Sequence, residues 1–155
     1  MQEQYIYIDE YGDKRYYKDR KMTILHRLDG PAVEFADGGK VWYVDGRPHR
    51  LDGRPAFEYA NGSKRWYVDG KLHRLDGRPA IEHVDGGKAW YVDDKRHRLD
   101  GPAIEYADGG KAWWIDGKHL TEKQFNALTA PAIELTLEQI ASKFGVDASK
   151  VKIKK

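Results

Sequence analysis

Residues 26–48 read HRLDGPAVEFADGGKVWYVDGRP, and the same pattern returns three more times along the 155-residue chain. The string HRLDG starts at His26, His49, His73 and His97, at spacings of 23, 24 and 24 residues. The one-residue difference is Arg54 or Arg78, inserted before the proline of the second and third copies. A fixed period of this length is the signature of a repeat architecture, and it decides the reading of everything else. Residues 8–19, IDEYGDKRYYKD, are a degenerate half-copy that sets Gly12, Lys14, Tyr16, Tyr17 and Asp19 in the columns of EFADGGKVWYVD.

Each copy holds two short segments with strand character, such as 55–60 and 64–68. Between them stands Asp-Gly or Asn-Gly: Asp37-Gly38, Asn61-Gly62, Asp85-Gly86 and Asp108-Gly109. Such pairs accept positive φ at low cost and mark hairpins. A second turn follows the Trp strand, at Asp45-Gly46, Asp69-Gly70, Asp93-Asp94 and Asp116-Gly117. The spacing of Gly and Pro excludes helix within the copies. If Asp37-Gly38 is a two-residue turn, Val33 stands opposite Trp42 and Phe35 opposite Lys40. That gathers Val33, Phe35, Trp42 and Val44 on one apolar face, which we read as the core; a three-residue loop would change the pairing. A lone hairpin is marginal in water, so hairpins must pair edge to edge. Trp42, Trp66, Trp90 and Trp113 then form a row.

The reading is a mainly β chain: an elongated antiparallel sheet of tandem ~24-residue hairpins, about nine or ten strands in all, with a small α/β C-terminal cap. Residues 1–25 form an N-terminal half-repeat and cap, 26–118 four hairpin repeats (26–48, 49–72, 73–96, 97–118) and 119–155 the C-terminal cap. In that cap, Thr121 to Gln124 and Thr136 to Gln139 both fit capping boxes. They predict helices near 122–129 and 137–144, the second with Ile140, Ala141 and Phe144 on one face and stopped at Gly145. Beyond them Val151 and Ile153 alternate with lysines, a strand pattern. A competing reading makes 139–155 a helix-turn-helix that carries Lys150, Lys152, Lys154 and Lys155 to DNA.

Charged residues are 34% of the chain, yet the net charge is +2, which does not suit a general nucleic-acid binder. There is no cysteine, so disulfides, thiolate metal sites and a Cys nucleophile are excluded. No stretch reaches the ~20 apolar residues of a membrane span, and a cytoplasmic protein is expected. Adjacent copies lie about 10 Å apart, two strand widths. The histidines of neighbouring copies therefore cannot share a metal, and the glutamates Glu34, Glu58, Glu82 and Glu105 cannot form a close carboxylate pair. The histidines should cap turns, and Arg27, Arg50, Arg74 and Arg98 should pair with a recurring carboxylate. No phosphate loop or serine elbow is present. We expect no catalysis, no cofactor and no metal.

Columns identical in every copy are what stacking needs at each step, whereas columns that vary are free for a partner. Val41, Arg65, Ala89 and Ala112 share an outer face with Tyr43, Tyr67, Tyr91 and Trp114. Tyr43, Arg65, Tyr67, Tyr91, Trp114, Arg54, Arg78 and Arg96 are the candidate binding residues, since exposed aromatics beside arginine are typical of interface hot spots.

The motif W-Y-x-D-G-x-x-H-R-x-D-G-P-A-x-E-x-x-D-G, over residues 8–118, resembles tandem repeats common in proteins of bacteriophages and large viruses. More distantly it resembles MORN-type repeats, ~23-residue hairpins in an elongated sheet. The resemblance implies a MORN-like solenoid that serves as a protein-binding scaffold or inhibitor, phage-encoded and acting on a host protein in the host cytoplasm. The HRLDG segment departs from standard MORN, so no lipid role is carried over. A sheet end left uncapped would also allow a homo-oligomer.

Overall fold

The computed structural model describes residues 4–131, 136–147 and 149. Its strands are β1 (Tyr5–Ile8), β2 (Lys14–Tyr17), β3 (Val33–Glu34), β4 (Lys40–Val41), β5 (Tyr43–Val44), β6 (Arg47–Pro48), β7 (Phe57–Glu58), β8 (Lys64–Arg65) and β9 (Tyr67–Val68). They continue as β10 (Lys71–Leu72), β11 (Ile81–Glu82), β12 (Lys88–Ala89), β13 (Tyr91–Val92), β14 (Lys95–Arg96), β15 (Ile104–Glu105), β16 (Lys111–Ile115) and β17 (Lys118–Leu120). Helices α1 (Glu122–Thr129) and α2 (Leu137–Phe144) follow, each opened by the expected threonine capping box. Eleven strands make one elongated antiparallel sheet in the order β1-β2-β3-β4-β7-β8-β11-β12-β15-β16-β17. Three short ribbons, β5-β6, β9-β10 and β13-β14, extend from it. The sheet exceeds the expected nine or ten strands because β1 completes a hairpin with the half-copy strand β2, and β17 closes one on β16.

The structure settles the loop length at Asp37-Gly38 that the sequence left open. Around Asp37-Gly38 the loop has three residues. Phe35 N–H donates to Gly39 O at 2.8 Å, Gly38 N–H donates back to Phe35 O at 3.0 Å, and Gly38 sits at φ 96°. The Asp37 carboxylate accepts from Gly39 N–H at 2.8 Å, which fixes the bend. The two-residue hairpin turn is the other one, where Asp45 and Gly46 both have positive φ (51° and 74°) between the pairs Val44–Arg47 and Tyr43–Pro48. Asp93 and Asp94 adopt the same turn at 48° and 67° without any glycine.

The longer loop slips the register by one residue, and a one-residue slip exchanges faces. Val33 stands opposite Val41 rather than Trp42, and Glu34 opposite Lys40. The anticipated apolar face of Val33, Phe35, Trp42 and Val44 therefore does not form. One face instead carries the continuous row Val33, Val41, Phe57, Arg65, Ile81, Ala89, Ile104, Ala112. The other carries an alternating ladder Lys14, Glu34, Lys40, Glu58, Lys64, Glu82, Lys88, Glu105, Lys111, with opposite charges across every strand boundary. Cross-strand pairs of this kind each add a few tenths of a kcal/mol to about 1 kcal/mol.

The alanine of each Pro-Ala step is the most buried column: Ala32, Ala56, Ala80 and Ala103 have no exposed surface. Their carbonyls accept from the aromatic residue of the preceding unit, as in Trp66 N–H to Ala80 O at 2.8 Å. At the C-terminal end α1 packs on β16 and β17 through buried Phe125 and Leu120. In α2, Ala141 is buried, and the strand expected over 150–154 lies outside the described residues. No helix among the described residues is long and apolar enough to cross a membrane. With no space beside it, Ala80→Leu is expected to destabilise the chain by roughly 1–3 kcal/mol, read as a lower urea midpoint at unchanged slope.

Candidate functional site

The HRLDG loops fold onto the charged face, and the arginine of each does most of the holding. Arg50 lies over the Trp42 ring of the preceding copy at 3.7 Å, and its Nη1 donates to Pro55 O at 3.2 Å and to Glu58 at 2.6 Å. Arg74 over Trp66 and Arg98 over Trp90, each at 3.8 Å, repeat the arrangement, reaching Glu82 and Glu105. Arg27 lies over Tyr16 at 4.0 Å, so the half-copy supplies tyrosine where the others supply tryptophan. The loop aspartates Asp29, Asp52, Asp76 and Asp100 hold the same arginines through Nε. Each guanidinium thus ties the aromatic residue of one unit to the carboxylate of the next.

The histidines brace turns. The Nδ1 atoms of His26, His49 and His97 accept from Asp45, Asp69 and Asp116 N–H at 3.1, 3.0 and 3.2 Å. All four Nδ1 atoms also face the carboxylate of the turn aspartate, at 3.1 Å for His26, 3.4 Å for His49, 3.3 Å for His73 and 2.8 Å for His97, and in the third copy the Asp94 side chain accepts from Leu72 N–H. Among the described residues no three His, Asp or Glu side chains gather as metal ligands would.

The opposite face carries the aromatic strip. Phe57 is its centre, with Tyr67, Tyr59 and Tyr43 at ring-centroid distances of 5.1, 6.0 and 6.4 Å. Arg65 lies over Tyr59 at 5.2 Å. Burial pushes the Tyr43 hydroxyl above the ordinary tyrosine value, and Tyr67 and Tyr59 add to the shift. Further along, Arg96 donates to the Tyr91 hydroxyl at 3.1 Å and lies over Trp114 at 4.9 Å. Phe35, Tyr59 and Tyr106 remain 40%, 37% and 53% exposed. A groove of about 240 Å³ opens between Phe35, Val41, Phe57 and Tyr59.

Of the sequence-derived binding residues, Tyr43, Arg65 and Tyr67 come together around Phe57, and Tyr91, Arg96 and Trp114 form a second group. Arg54 and Arg78 do not join them. They lie in the HRLDG loops on the charged face, paired with Asp52 and Asp76. Their shared loop position explains this: each lengthens its loop by one residue and neutralises the aspartate that its neighbouring clamp arginine also uses. Lys150, Lys152, Lys154 and Lys155, the basic segment of the DNA-binding alternative, lie outside the described residues. Phe57 and Tyr59 were not singled out from sequence, although both stand in varying columns; only the three-residue loop reveals that Phe57 shares a face with Arg65. The chain matches no protein-family model and no curated protein.

Two measurements probe the clamp. Arg74→Met removes the Glu82 pair and the Pro79 bond while keeping apolar length. The expected loss is about 2 kcal/mol in denaturant unfolding, below the roughly 3–5 of a fully buried pair because Glu82 and Asp76 keep access to water. For Asp76, burial alone would raise the carboxyl. The Arg78 side chain and N–H, with Arg74, outweigh it and hold the group at about 2 against 3.8. A depressed carboxylate stabilises the fold above its unfolded value. That contribution is complete above pH 3.8 and is lost as pH falls towards about 2. Carboxyl NMR titration should show the Asp76 midpoint rising in Arg78→Ala, with stability lost at correspondingly higher pH.

Proposed function

We propose that this chain is a non-enzymatic protein-binding scaffold or inhibitor and that it engages its partner through the aromatic face centred on Phe57. The observation that carries this reading is the half-open cluster of Phe57, Tyr43, Tyr59 and Tyr67 with Arg65 above it. Tyrosine and arginine around a partly desolvated aromatic centre have the composition of an interface hot spot. The columns of Phe57, Tyr59 and Arg65 differ from copy to copy, so the surface is individual even though the framework repeats. The resemblance to bacteriophage and large-virus repeats, and more distantly to MORN arrays, supports a solenoid-like scaffold. It also supports a phage-encoded factor directed at a host protein in the host cytoplasm.

Affinity capture from bacterial lysate tests this. The wild-type chain should retain one protein stoichiometrically, and Tyr67→Asp combined with Arg65→Glu should lose it while the melting curve persists. Recovery of no stoichiometric protein, or equal recovery by the variant, would overturn the assignment.

A further inference from the structure

The arginines of the two faces differ in what they hold. On the charged face every arginine of the HRLDG loops holds a carboxylate. Arg65 and Arg96, on the aromatic face, hold none among the described residues. The Arg65 guanidinium lies over the Tyr59 ring and has no hydrogen-bond acceptor there. Arg96 donates from Nε to the Tyr91 hydroxyl, which leaves its two Nη groups without an acceptor in the described chain. In the same group the indole N–H of Trp114 is shielded from water and has no acceptor either. The surrounding columns offer no acid. Those of Val33, Phe35, Val41, Tyr43 and Pro48 hold no Asp or Glu in any copy, and their basic members are Arg65, Arg96, His83 and His119.

An apolar socket adjoins Arg65. The groove of about 240 Å³ between Phe35, Val41, Phe57 and Tyr59 has room for one large apolar side chain. Tyr59 is shared, since its ring walls the groove and carries Arg65. Two carboxylates border the groove, and both are engaged. Asp37 accepts from Gly39 N–H, and Glu58 accepts from Arg50 on the opposite face. A ligand carboxylate is therefore drawn to the Arg65 side of the socket. A guanidinium stacked on a ring presents its N–H fork at the edge, the geometry that takes a carboxylate through two parallel bonds.

We propose that the aromatic face recognises an acidic segment of its protein partner, with a large apolar residue seated against Phe57 and an Asp or Glu paired with Arg65. This rests on the protein-binding reading of the same face and specifies the chemistry of the partner. The width of one tyrosine ring separates the two subsites. In an extended segment, at roughly 3.3 Å per residue, the acid then stands two or three residues from the anchor. Arg96 and Trp114 offer a second point rich in donors, suited to a further acid. A single-stranded nucleic acid also stacks on aromatic rings, but its backbone follows a continuous basic groove. Here Arg65 and Arg96 stand in separate groups, so spaced carboxylates match the face and an unbroken phosphate chain does not.

Selection of a random dodecapeptide display library on the immobilised chain tests the proposal. Enriched peptides should carry Asp or Glu within about three residues of Phe, Trp or Leu. A fluorescein-labelled copy of the leading peptide then reports affinity by anisotropy. Arg65→Gln should weaken binding at least about tenfold, with Arg65→Lys in between, because an ammonium keeps the charge without the fork. Melting should not change, since Arg65 holds no ion pair within the described chain. Arg78→Gln, on the charged face, should bind like wild type. Enriched peptides that lack acids and are lost with Tyr59→Ala would overturn the acidic assignment while leaving protein binding at this face intact. No enrichment, acidic peptides indifferent to Arg65→Gln, or equally tight binding of labelled oligo(dT) would overturn it as well.

Discussion

A guanidinium lying between an aromatic ring and two carboxylates is the contact on which this fold depends. A sheet built from two-residue ladders has little backbone pairing per strand and, on its own, a face of small alanines. The arginine of each HRLDG loop supplies what the ladders lack. Stacking on Trp or Tyr contributes about 0.5–2 kcal/mol, and each charge-assisted hydrogen bond about 1.5–3 when the groups are well shielded. Burial of the guanidinium opposes these gains, and it is tolerable because Nη1 and Nε each have an acceptor. Lysine could not replace it: a point charge has no planar face for tryptophan and no fork for Glu, Asp and a prolyl carbonyl together.

The one-residue difference between loops has a physical consequence. Arg50 and Arg74, in the loops lengthened by Arg54 and Arg78, have side chains 7% exposed, against 19% for Arg27 and Arg98 in the short loops. The added arginine draws the loop aspartate inward, and the clamp is better covered. The same glycine then serves two ends. In the short loops a Cβ on Gly30 or Gly101 would meet the clamp guanidinium at about 3 Å; in the long loops Gly53 and Gly77 have open space but φ near +74°. An identical residue in a repeat column need not be there for one reason.

Much of this was legible from sequence. The period, the hairpins, both helix boundaries, the arginine–carboxylate pairing and the bracing histidines follow from spacing and from the chemistry of the residue types. What failed was register. Each copy offers two hairpin turns of the Asp-Gly type (Asn61-Gly62 and Asp93-Asp94 among them), and both favour positive φ; which of them is the two-residue turn depends on the residue after the pair and on Asp37 bonding to Gly39 N–H, a distinction of one atom pair. That error moved tryptophan to the wrong face and hid Phe57. Leu28, Leu51, Leu75 and Leu99 recur in every copy yet stay exposed, so recurrence in a column does not by itself mean burial.

The two faces divide the tasks for a reason rooted in cross-strand geometry. On the charged face the contacts, within a copy and across to the ring of the one before, run through long side chains with specific acceptors, so substitution at one column would unpair a group at another, and the columns stay constant. On the aromatic face the row residues meet by shape alone. Phe57 lies between Val41 and Arg65, and Ile81 and Ile104 flank Ala89. Volume can be exchanged along such a row without leaving a buried polar group unsatisfied, so its residues are free to differ. The bulk of Phe57 in the second copy and the small Ala89 and Ala112 further on give this face relief that the framework neither requires nor forbids. A surface whose shape is free of the fold is the kind that can be fitted to one partner.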